Sequence, residues 1–316
     1  MILVYVDHDR GVLDEPSLQA LTFAKRLDGD VHAFLAGADG EAVAASLGEY
    51  GVAVSYVAVH DALQDYTPQA TARALAELTI AKSAAAVLAT SGARGNEVLA
   101  HTAAMLDEPF AAECIEIALG SPAQVTRSRW GGNMLEEARV HYGKVLVATV
   151  PPFTVTADPA PTACTVQTFT PTLSDADVAV RIVDRVAGTA TGVSLAEAKI
   201  IVSGGRGVGA AENWGPLEDL AGLLNAALGC SRVVTSNGWR PHSEQVGQTG
   251  TKVAPDLYIA AGISGATQHI AGCKKSKAIL AVNTDPEAPI MAHADYAVIG
   301  DLHEVLPAIA SALRSR

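Results

Sequence analysis

Short apolar segments alternate with longer amphipathic ones through the first part of the chain. The short segments have the length and continuous apolar character of strands that are buried on both faces. They are Ile2–Val6, Val31–Ala36, Val54–Val59 and Ala85–Ala89. The longer segments repeat apolar residues at helical spacing, and they are Ser17–Leu27, Glu41–Leu47 and Pro68–Lys82. Strands that are separated by helices predict a parallel sheet with helices on both faces.

This alternation stops near residue 110. Strand-like segments then follow one another without intervening helices, which predicts that antiparallel strands complete the first domain. These segments are Ala111–Leu119, Gln124–Trp130, Leu135–Tyr142 and Val145–Val150. The next segment, Pro151–Pro171, contains five prolines and no periodicity. Such a segment predicts an extended connection on the surface.

A second alternating pattern begins after a stretch rich in Gly and Thr. Its predicted strands are Lys199–Ser203, Ser231–Thr235, Leu257–Ala261, Ala278–Asn283 and Tyr296–Ile299, and its predicted helices are Leu217–Leu228 and His303–Leu313. We therefore predict an α/β protein of two domains. Residues 1–188 would form an N-terminal parallel α/β sheet with added antiparallel strands. Residues 189–197 would be a linker, and residues 198–316 a doubly wound C-terminal domain.

Composition agrees with a folded protein of this size. The chain has 316 residues, of which 49% are hydrophobic and 18% charged, so it can form about two domains. The formal net charge of −12 disfavours binding to DNA or RNA, because a polyanion would be repelled over most of the surface. The simplest explanation of this charge is solubility; steering toward a basic patch on a partner is the alternative.

Cysteine spacing and hydropathy bear on the compartment. None of the four cysteines forms a CxxC pair, which predicts reduced structural thiols and no zinc site. No apolar run reaches the ~18 residues that cross a bilayer. The N-terminus lacks the basic region and cleavage site of a secretory signal. We therefore expect a cytoplasmic protein without a transmembrane segment.

Two glycine-containing loops follow predicted strands of the second domain. In Ser203–Gly209, glycines would let backbone N–H groups approach an anion, and Arg206 adds a positive charge. A tight turn with a solvated arginine explains that segment equally well. Gly262–His269 follows a buried strand and opens a predicted helix, which is typical of a pyrophosphate cradle. His269 would then point at the ligand, although a structural hydrogen bond remains an equal alternative.

Polar residues at other strand ends extend this candidate site. The loop Gln245–Gly250 precedes the strand Leu257–Ala261 and could hydrogen-bond a heterocycle or polyol, or be an ordinary loop. Asn283 and Asp301 follow apolar strands, where ligand-facing residues belong. Asp301 would also serve as the N-cap of the last helix, and the two roles are compatible.

These segments together resemble a known family. The stretch 257–272, LYIAAGISGATQHIAG, followed by 279–289, ILAVNTDPEAP, closely resembles the signature of the electron transfer flavoprotein alpha subunit. Ser203–Gly207, Gln245–Gly250 and Asp301 with Leu302 occur in the same order as in that family. In the first domain, Arg129–Asn133 resembles the family's aromatic-Gly-Gly-Asn element.

The resemblance implies FAD as cofactor and assigns regions of it to residues. Arg206 would contact the pyrophosphate or sugars, Ser231 and Arg232 the isoalloxazine ring, and Val246–Thr249 the flavin, with the Thr249 hydroxyl near N5. Ser264–His269 would hold the pyrophosphate and ribityl, with His269 near N1 and O2, while Asn283, Asp301 and Leu302 would hold the adenosine. The complete predicted set is Arg206, Ser231, Arg232, Gln245, Val246, Gly247, Gln248, Thr249, Gly262, Ser264, Gly265, Ala266, Thr267, Gln268, His269, Asn283, Asp301 and Leu302.

The physical role of two of these residues follows from charge. Reduced flavin carries negative charge at N1 and O2, so a cation or a strong donor there raises its potential. We assign that role to His269 and Arg232. Each would contribute about 1–3 kcal/mol, as expected of a charge-assisted hydrogen bond.

The family resemblance implies an electron carrier and not an enzyme with its own substrate. The partner would be a beta subunit that binds AMP, the donors would be dehydrogenases such as those of fatty acid beta-oxidation, and the acceptor would be a membrane quinone oxidoreductase. No catalytic or metal-binding residue set is evident in the sequence. Two alternatives stay open: a subunit of an NADH-linked bifurcating flavoprotein, and a stand-alone FAD oxidoreductase that acts on a small molecule.

Overall fold

The strand Ile2–Tyr5, β1, is buried along its whole length and lies inside the first sheet. A computed structural model describes residues 1–184, 194–196 and 198–315. The chain divides into two compact units between residues 185 and 186. The predicted linker, 189–197, lies outside the described residues except for 194–196, so its boundaries stay a prediction.

The first unit contains twelve strands and four α-helices within its described residues. After β1 come β2 His8–Asp9, β3 Val12–Leu13, α1 Glu15–Ala24, β4 Val31–Ala36, α2 Glu41–Ala44, β5 Val54–Ala58, α3 Pro68–Lys82, β6 Ala86–Thr90, α4 Ala93–Leu106, β7 Phe110–Ala111, β8 Cys114–Ala118, β9 Ala123–Arg129, β10 Met134–Val140, β11 Leu146–Val150 and β12 Thr165–Phe169. Short 3₁₀ helices cover Ala38–Gly40, Ala45–Tyr50, Asp61–Leu63 and Trp130–Gly132.

Seven of these strands form a parallel sheet in the order β12-β5-β4-β1-β6-β11-β7. The predicted parallel α/β sheet is therefore confirmed. Its two faces are covered by separate apolar layers, which is why the central strands read as continuous apolar runs. The added antiparallel strands are present as a separate sheet in the order β10-β9-β8.

Three predictions for the first unit were incomplete or wrong. The segment Val145–Val150 was expected among the antiparallel strands, but β11 lies in the parallel sheet, where its burial on both faces explains its apolar character. The extended segment Pro151–Pro171 also contains β12, whose five residues include no proline and pair with β5. Helix α4 was not expected from the sequence, because alanine, glycine and polar residues dilute its apolar spacing.

The second unit contains a single parallel sheet within its described residues. Its elements are β13 Ile200–Gly204, α5 Gly215–Leu224, β14 Ala227–Cys230, α6 Arg232–Ser236, β15 Leu257–Ala261, α7 Thr267–Cys273, β16 Ile279–Asn283, β17 Tyr296–Ile299 and α8 Leu302–Arg314. Short 3₁₀ helices cover Arg206–Val208, Ala211–Trp214, His242–Glu244 and Pro289–His293. The strand order is β14-β13-β15-β16-β17, with all strands parallel.

Successive residues of β15 face opposite apolar layers. Tyr258 and Ala260 pack into the layer that includes α7, and Ile259 and Ala261 pack into the layer that includes α5 and α8. Helices on both faces are the arrangement expected of a doubly wound domain, so that prediction is confirmed. The register aligns the strand ends, since Gly204 pairs with Ala261. The loops that follow β13 and β15 therefore begin at the same edge.

The predicted elements between residues 217 and 235 were wrong in their boundaries. Helix α5 ends at Leu224 because Asn225 adopts a left-handed conformation with φ of 48°, which terminates the helix. The last part of the predicted helix is therefore the strand β14. The segment Ser231–Thr235 was predicted as a strand from its β-branched residues, but it begins helix α6. Tertiary context overrides such local preferences.

The cysteine side chains match the sequence prediction of reduced thiols. All four cysteines are free thiols. Burial raises the pKa of Cys114, Cys230 and Cys273 to about 12 in each case. In the ranges 1–184, 194–196 and 198–315, none of the helices combines the length and apolarity that a bilayer crossing demands. The same ranges contain no group of three His, Cys, Asp or Glu side chains that could bind a metal ion.

Candidate cofactor-binding site

A cleft of about 570 Å³ lies at the carboxyl edge of the second sheet. The loops that follow β13, β14, β15, β16 and β17 all contribute to its walls. From β13 the chain continues to β14 on one side of the sheet, and from β15 it continues to β16 on the other side. The connections after these two neighbouring strands therefore run to opposite faces of the sheet. Open parallel sheets bind ligands at this position because the diverging loops leave a crevice.

The cleft brings together most residues that the sequence predicted. All of the predicted site residues except Gly265 and Thr267 line it. Several further residues contribute to its walls, including Val233, Ile263, Ala288, Pro289, Gly300 and His303. The rule that ligands bind beyond strand ends could have identified Gly300 and His303, which follow β17 closely. Pro289 lies further from β16, so only the folded chain places it in the cleft.

Glycines allow the loops after β13 and β15 to touch each other. A β-carbon on Gly205 would lie 2.3 Å from the carbonyl oxygen of Gly262, and one on Gly207 would lie 2.7 Å from the Gly262 α-carbon. The Gly207 N–H donates a 3.0 Å hydrogen bond to the Gly262 carbonyl. Gly262 itself has φ of 63°, which other residues adopt at a cost. The two loops therefore form one continuous backbone surface beside Arg206.

Gly265 has a structural role that differs from the prediction. It is buried with φ of 83°, and a β-carbon there would lie 2.3 Å from the backbone nitrogen of Ile290. The Ile290 N–H donates to the Ser264 carbonyl at 3.0 Å, which holds the loop against the chain after β16. Thr267 is exposed and begins α7 outside the cleft. Both were predicted as ligand contacts, and neither lines the cleft, because the backbone turns between Ser264 and α7.

The loop that contains Gln245 and Thr249 is fixed by hydrogen bonds. Gln245 is 2% exposed. Its Nε2 donates to the Thr249 Oγ1 at 3.0 Å, and its Oε1 accepts a 2.6 Å hydrogen bond from the Thr235 hydroxyl. The Gln248 N–H donates to the Gln268 carbonyl of α7 at 2.7 Å. Because both ends of the Gln245 amide are used within the protein, this residue positions the exposed Thr249 hydroxyl.

His269 lies in the cleft wall as a buried side chain. Its Nε2 is 2.9 Å from the Tyr258 hydroxyl, whereas its Nδ1 is buried without a hydrogen-bond partner among the described residues. Burial lowers the pKa of His269 to about 4, and the nearby Val246 carbonyl opposes that shift. The imidazole is therefore neutral near pH 7. Of the two roles predicted for His269, a cation or a strong hydrogen-bond donor, the neutral ring excludes the first near pH 7.

Positive charge in the cleft comes from arginines. Arg206 and Arg232 are exposed residues of the cleft wall, each following a strand of the sheet. Ser231, beside Arg232, has a buried hydroxyl without a hydrogen-bond partner in the described chain. An unpaired buried hydroxyl is unfavourable unless a ligand or water completes it. This part of the cleft is suited to an anionic, hydrogen-bonding group.

The other end of the cleft contains Asn283, Asp301 and Leu302. The Asn283 Nδ2 donates to the Ile263 carbonyl at 2.9 Å, and its Oδ1 accepts from the Asp285 N–H at 3.1 Å. Its amide thus holds two loops together. The Asp301 Oδ1 accepts from the His303 N–H at 2.9 Å, so Asp301 is the predicted N-cap of α8. Leu302 is buried and contributes an apolar surface.

Taken together, these features fit an elongated ligand with a diphosphate centre. The contacting glycine loops let a phosphate approach backbone N–H groups, and the arginines supply countercharge. The exposed Thr249 side chain, held by Gln245, is suited to a hydrogen bond with a polar ring. The volume lies in the range of cofactor pockets. FAD, the cofactor implied by the sequence resemblance, has this combination of groups.

Family models and individual relatives both match this chain to the same protein family. A model of the electron transfer flavoprotein FAD-binding domain matches residues 194–274, and a model of the electron transfer flavoprotein domain matches residues 2–174. The chain is 39% identical to an electron transfer flavoprotein subunit alpha of Mycobacterium tuberculosis, over 100% of this chain and 98% of that protein. The corresponding proteins of Mycobacterium leprae and Pseudomonas aeruginosa are 38% and 37% identical, over 99% of this chain and 98% and 99% of their own lengths. Because these matches extend through both units, the chain belongs to the electron transfer flavoprotein alpha subunit family.

Proposed function

We propose that this chain is the FAD-binding alpha subunit of a heterodimeric electron carrier whose beta subunit binds AMP. The observation that carries the proposal is the cleft of the second unit, where contacting glycine loops, two exposed arginines and a neutral buried histidine converge. The cofactor supplies the redox chemistry, because its isoalloxazine ring accepts and releases electrons singly or in pairs. The protein then needs to bind, orient and tune that ring.

The residues of the cleft divide into groups with different tasks. Arg206 and the glycine loop beside it hold the diphosphate. Arg232 offers a positive charge to the reduced ring, which raises its potential. Thr249, positioned by Gln245, presents its hydroxyl to the ring. Leu302 packs on the adenosine end.

Two predicted contacts have a supporting task within this arrangement. Asn283 keeps the loop after β15 attached to the end of β16, because both of its amide groups are used there. Asp301 caps α8 through one carboxylate oxygen and can accept a further hydrogen bond from a ribose or adenine group. Asn283 therefore shapes the adenosine end, and Asp301 both shapes it and contacts the ligand there.

The first unit serves as the partner interface. At the turn between β9 and β10, Trp130, Met134 and Leu135 are 81%, 56% and 66% exposed. Apolar side chains that are grouped and exposed to this degree are typical of a protein contact. Trp130 also has φ of 54°, an uncommon conformation for a non-glycine residue. The beta subunit is the proposed occupant of this surface.

Electrons would arrive from dehydrogenases, including those of fatty acid beta-oxidation, and leave to a membrane quinone oxidoreductase, with the complex in the cytoplasm. A carrier role is supported by the state of His269, the titratable side chain buried in the cleft wall. Its low pKa leaves it neutral and unable to act as a general acid near pH 7. Arginines, which do not exchange protons at that pH, provide the positive charge in the site.

The proposal is tested by co-expressing this chain with the beta subunit from the same source. We expect a yellow complex with one FAD per alpha subunit and one AMP per beta subunit, measured by cofactor extraction and chromatography. Reduction by an acyl-CoA dehydrogenase with its substrate should then be faster than reduction by any small molecule alone. A complex that stays colourless after reconstitution with FAD would refute the cofactor assignment. Turnover of small substrates without a protein partner would refute the carrier role.

A further inference from the structure

Glu113 joins the two larger sheets of the first unit through a closed ring of hydrogen bonds. The residue lies between β7 and β8, where the chain leaves the parallel sheet and enters the antiparallel one. The ring has four members, which are Ser91, Asn96, Glu113 and Thr149. Ser91 follows β6, Asn96 lies in the first turn of α4, and Thr149 lies in β11. The carboxyl ends of two parallel strands are therefore tied to the residue that precedes β8.

The chemistry of the side chains fixes the direction of each hydrogen bond in the ring. A carboxylate oxygen accepts and does not donate, so the Ser91 hydroxyl gives its single proton to Glu113 Oε1. Ser91 Oγ then accepts from Asn96 Nδ2 at 3.3 Å, which leaves Asn96 Oδ1 to accept from the Thr149 hydroxyl at 2.8 Å. Thr149 Oγ1 in turn accepts from the Glu113 N–H at 3.2 Å. The ring therefore closes on Glu113, which donates to it and accepts from it.

The ring holds Glu113 in a backbone conformation that is uncommon for this residue type. Its φ is 61°, in the left-handed region. Ser91 and Thr149 are 4% and 0% exposed, so the hydrogen bonds that they make are shielded from water. A conformation of this kind persists where the surrounding structure determines it strongly. The position of Glu113 on the parallel sheet is therefore fixed.

The backbone of Glu113 also holds the strand that leads to the exposed apolar turn. Its carbonyl accepts a 2.9 Å hydrogen bond from the Ser128 N–H of β9. Beside this contact, Arg127 Nε donates to the carbonyl of Ala112 at 2.9 Å. Ser128 lies two residues before Trp130, so this attachment is close to the turn between β9 and β10. The turn is therefore connected to the parallel sheet as well as to its own hairpin.

We propose that Glu113 is a positioning residue of the partner interface, which holds the β9–β10 turn on the parallel sheet so that Trp130 is already placed for the beta subunit. The inference rests on the proposed function, because it takes this turn to be the contact with that subunit. An aromatic side chain that is placed before binding loses little conformational freedom on association, which favours affinity. Without the carboxylate of Glu113, the turn would sample orientations that the partner does not fit.

The test compares two substitutions of Glu113 in the full-length chain. Glu113→Ala removes the acceptor for Ser91, whereas Glu113→Gln keeps a side-chain oxygen that can accept the same hydrogen bond. Hydrogen exchange with mass spectrometry measures the protection of residues 123–140, and biolayer interferometry measures affinity for the beta subunit. For Glu113→Ala we expect faster exchange and lower affinity, each by about tenfold. Glu113→Gln should remain close to the wild type in both measurements.

Glu116→Ala is the matched control, because the Glu116 carboxylate accepts its 2.8 Å hydrogen bond from Thr126 within the antiparallel sheet. It should change neither measurement. If Glu113→Ala does not fold, Ser91→Ala breaks the ring at its other end and should produce the same two changes.

Wild-type exchange and affinity in the alanine variant that folds would overturn the inference. Equal losses in Glu113→Ala and Glu113→Gln would also overturn it, because the accepting oxygen would then be irrelevant. An error in the proposed interface is detected separately. In that case Trp130→Gly would bind the beta subunit like the wild type, while exchange in residues 123–140 would still report whether Glu113 holds the turn.

Discussion

The backbone of Gly247 lies directly against Gly272 of helix α7. A β-carbon built on Gly272 would be 2.4 Å from both the α-carbon and the nitrogen of Gly247. Next to this contact, the Gln248 N–H donates to the Gln268 carbonyl at 2.7 Å, and the Val253 N–H donates to the Gly272 carbonyl at 2.7 Å. The loop that presents Thr249 is thereby attached to the helix that presents His269, and the absence of a side chain at Gly272 permits it.

We expect Gly272→Ala to displace this loop from α7 and to weaken FAD binding by tenfold or more. An added methyl at this distance from backbone atoms requires a shift of the main chain. Gly222→Ala is the control, because Gly222 lies in α5 with open space around its would-be β-carbon. That variant should gain about 0.5–1 kcal/mol of stability from reduced backbone freedom. Isothermal titration of the apo heterodimer with FAD measures the affinity of each variant. If Gly272→Ala and Gly222→Ala bound FAD equally well, the predicted effect of the contact between Gly272 and Gly247 would be contradicted.

Arg232 and Arg240 should respond differently to the same substitution. Arg232 is exposed, lines the cleft, and makes no ion pair with the described residues. Arg240 pairs with Glu218 and Glu244 at 2.8 and 2.6 Å and lies 5.1 Å from the centroid of the Trp214 ring. We expect Arg232→Gln to lower the potential of FAD and leave stability within about 0.5 kcal/mol. Arg240→Gln should cost roughly 1–2 kcal/mol and leave the potential unchanged. Spectroelectrochemistry and urea unfolding separate the two, and a reversed pattern would exclude the assigned roles.

Acid should destabilise the second unit through His269. Its pKa is about 4 in the folded protein against about 6.5 when unfolded, so the unfolded chain binds the proton first as pH falls. The free energy of unfolding should therefore fall between pH 6.5 and pH 4, by on the order of 3 kcal/mol for this group. Trp214 is buried in this unit, so its fluorescence in the apoprotein reports the transition. His269→Gln should flatten the dependence, and an unaltered slope would show that another group causes it.

Asp14 should have the opposite effect in the first unit. Burial, followed by repulsion from Asp7, raises the pKa of Asp14 to about 6. The protonated Asp14 carboxyl therefore contributes to the free energy of unfolding fully below pH 3.8, and this contribution is lost as the pH rises through 6. The Asp14 Oδ2 accepts a 3.3 Å hydrogen bond from the Ser17 hydroxyl, and the amide oxygen of Asn can accept the same bond. We expect Asp14→Asn to stabilise this unit by roughly 1–3 kcal/mol at pH 7 and not at pH 4. Hydrogen exchange in α1 and β1 measures the change, and equal protection at pH 7 would contradict it.

Trp130 should affect association without affecting folding. The residue is 81% exposed and has a positive φ, so Trp130→Gly removes little buried surface and relieves the backbone. We expect unchanged or slightly higher thermal stability of the chain. Affinity for the beta subunit, measured by biolayer interferometry, should fall by tenfold or more. Ile80→Ala is the control in the same unit, since Ile80 is 69% exposed on α3. If both variants bind the partner like the wild type, the turn between β9 and β10 is not the interface.

Periodicity predicted the strands of both sheets well where each strand is apolar throughout. It was less reliable at β14 and α6. Both are short segments whose apolar residues are compatible with a strand or a helix, so tertiary contacts decide which one forms. It also missed β12, because an exposed edge strand has no buried face to create a pattern. The end of α5 depends on the backbone angle of Asn225, which composition alone does not specify.

The sequence by itself determined the two α/β units, the strand-end loops of the second one and, through its glycine-containing motifs, the family. These features are encoded locally, in the spacing of apolar residues and in short runs of neighbouring residues. Only the tertiary structure decided which polar groups remain free for a ligand. The side-chain amides of Gln245 and Asn283 form hydrogen bonds within the protein. His269 is neutral because it is buried, with its ring against Tyr258. Such properties depend on partners and burial that residues distant in sequence supply on folding.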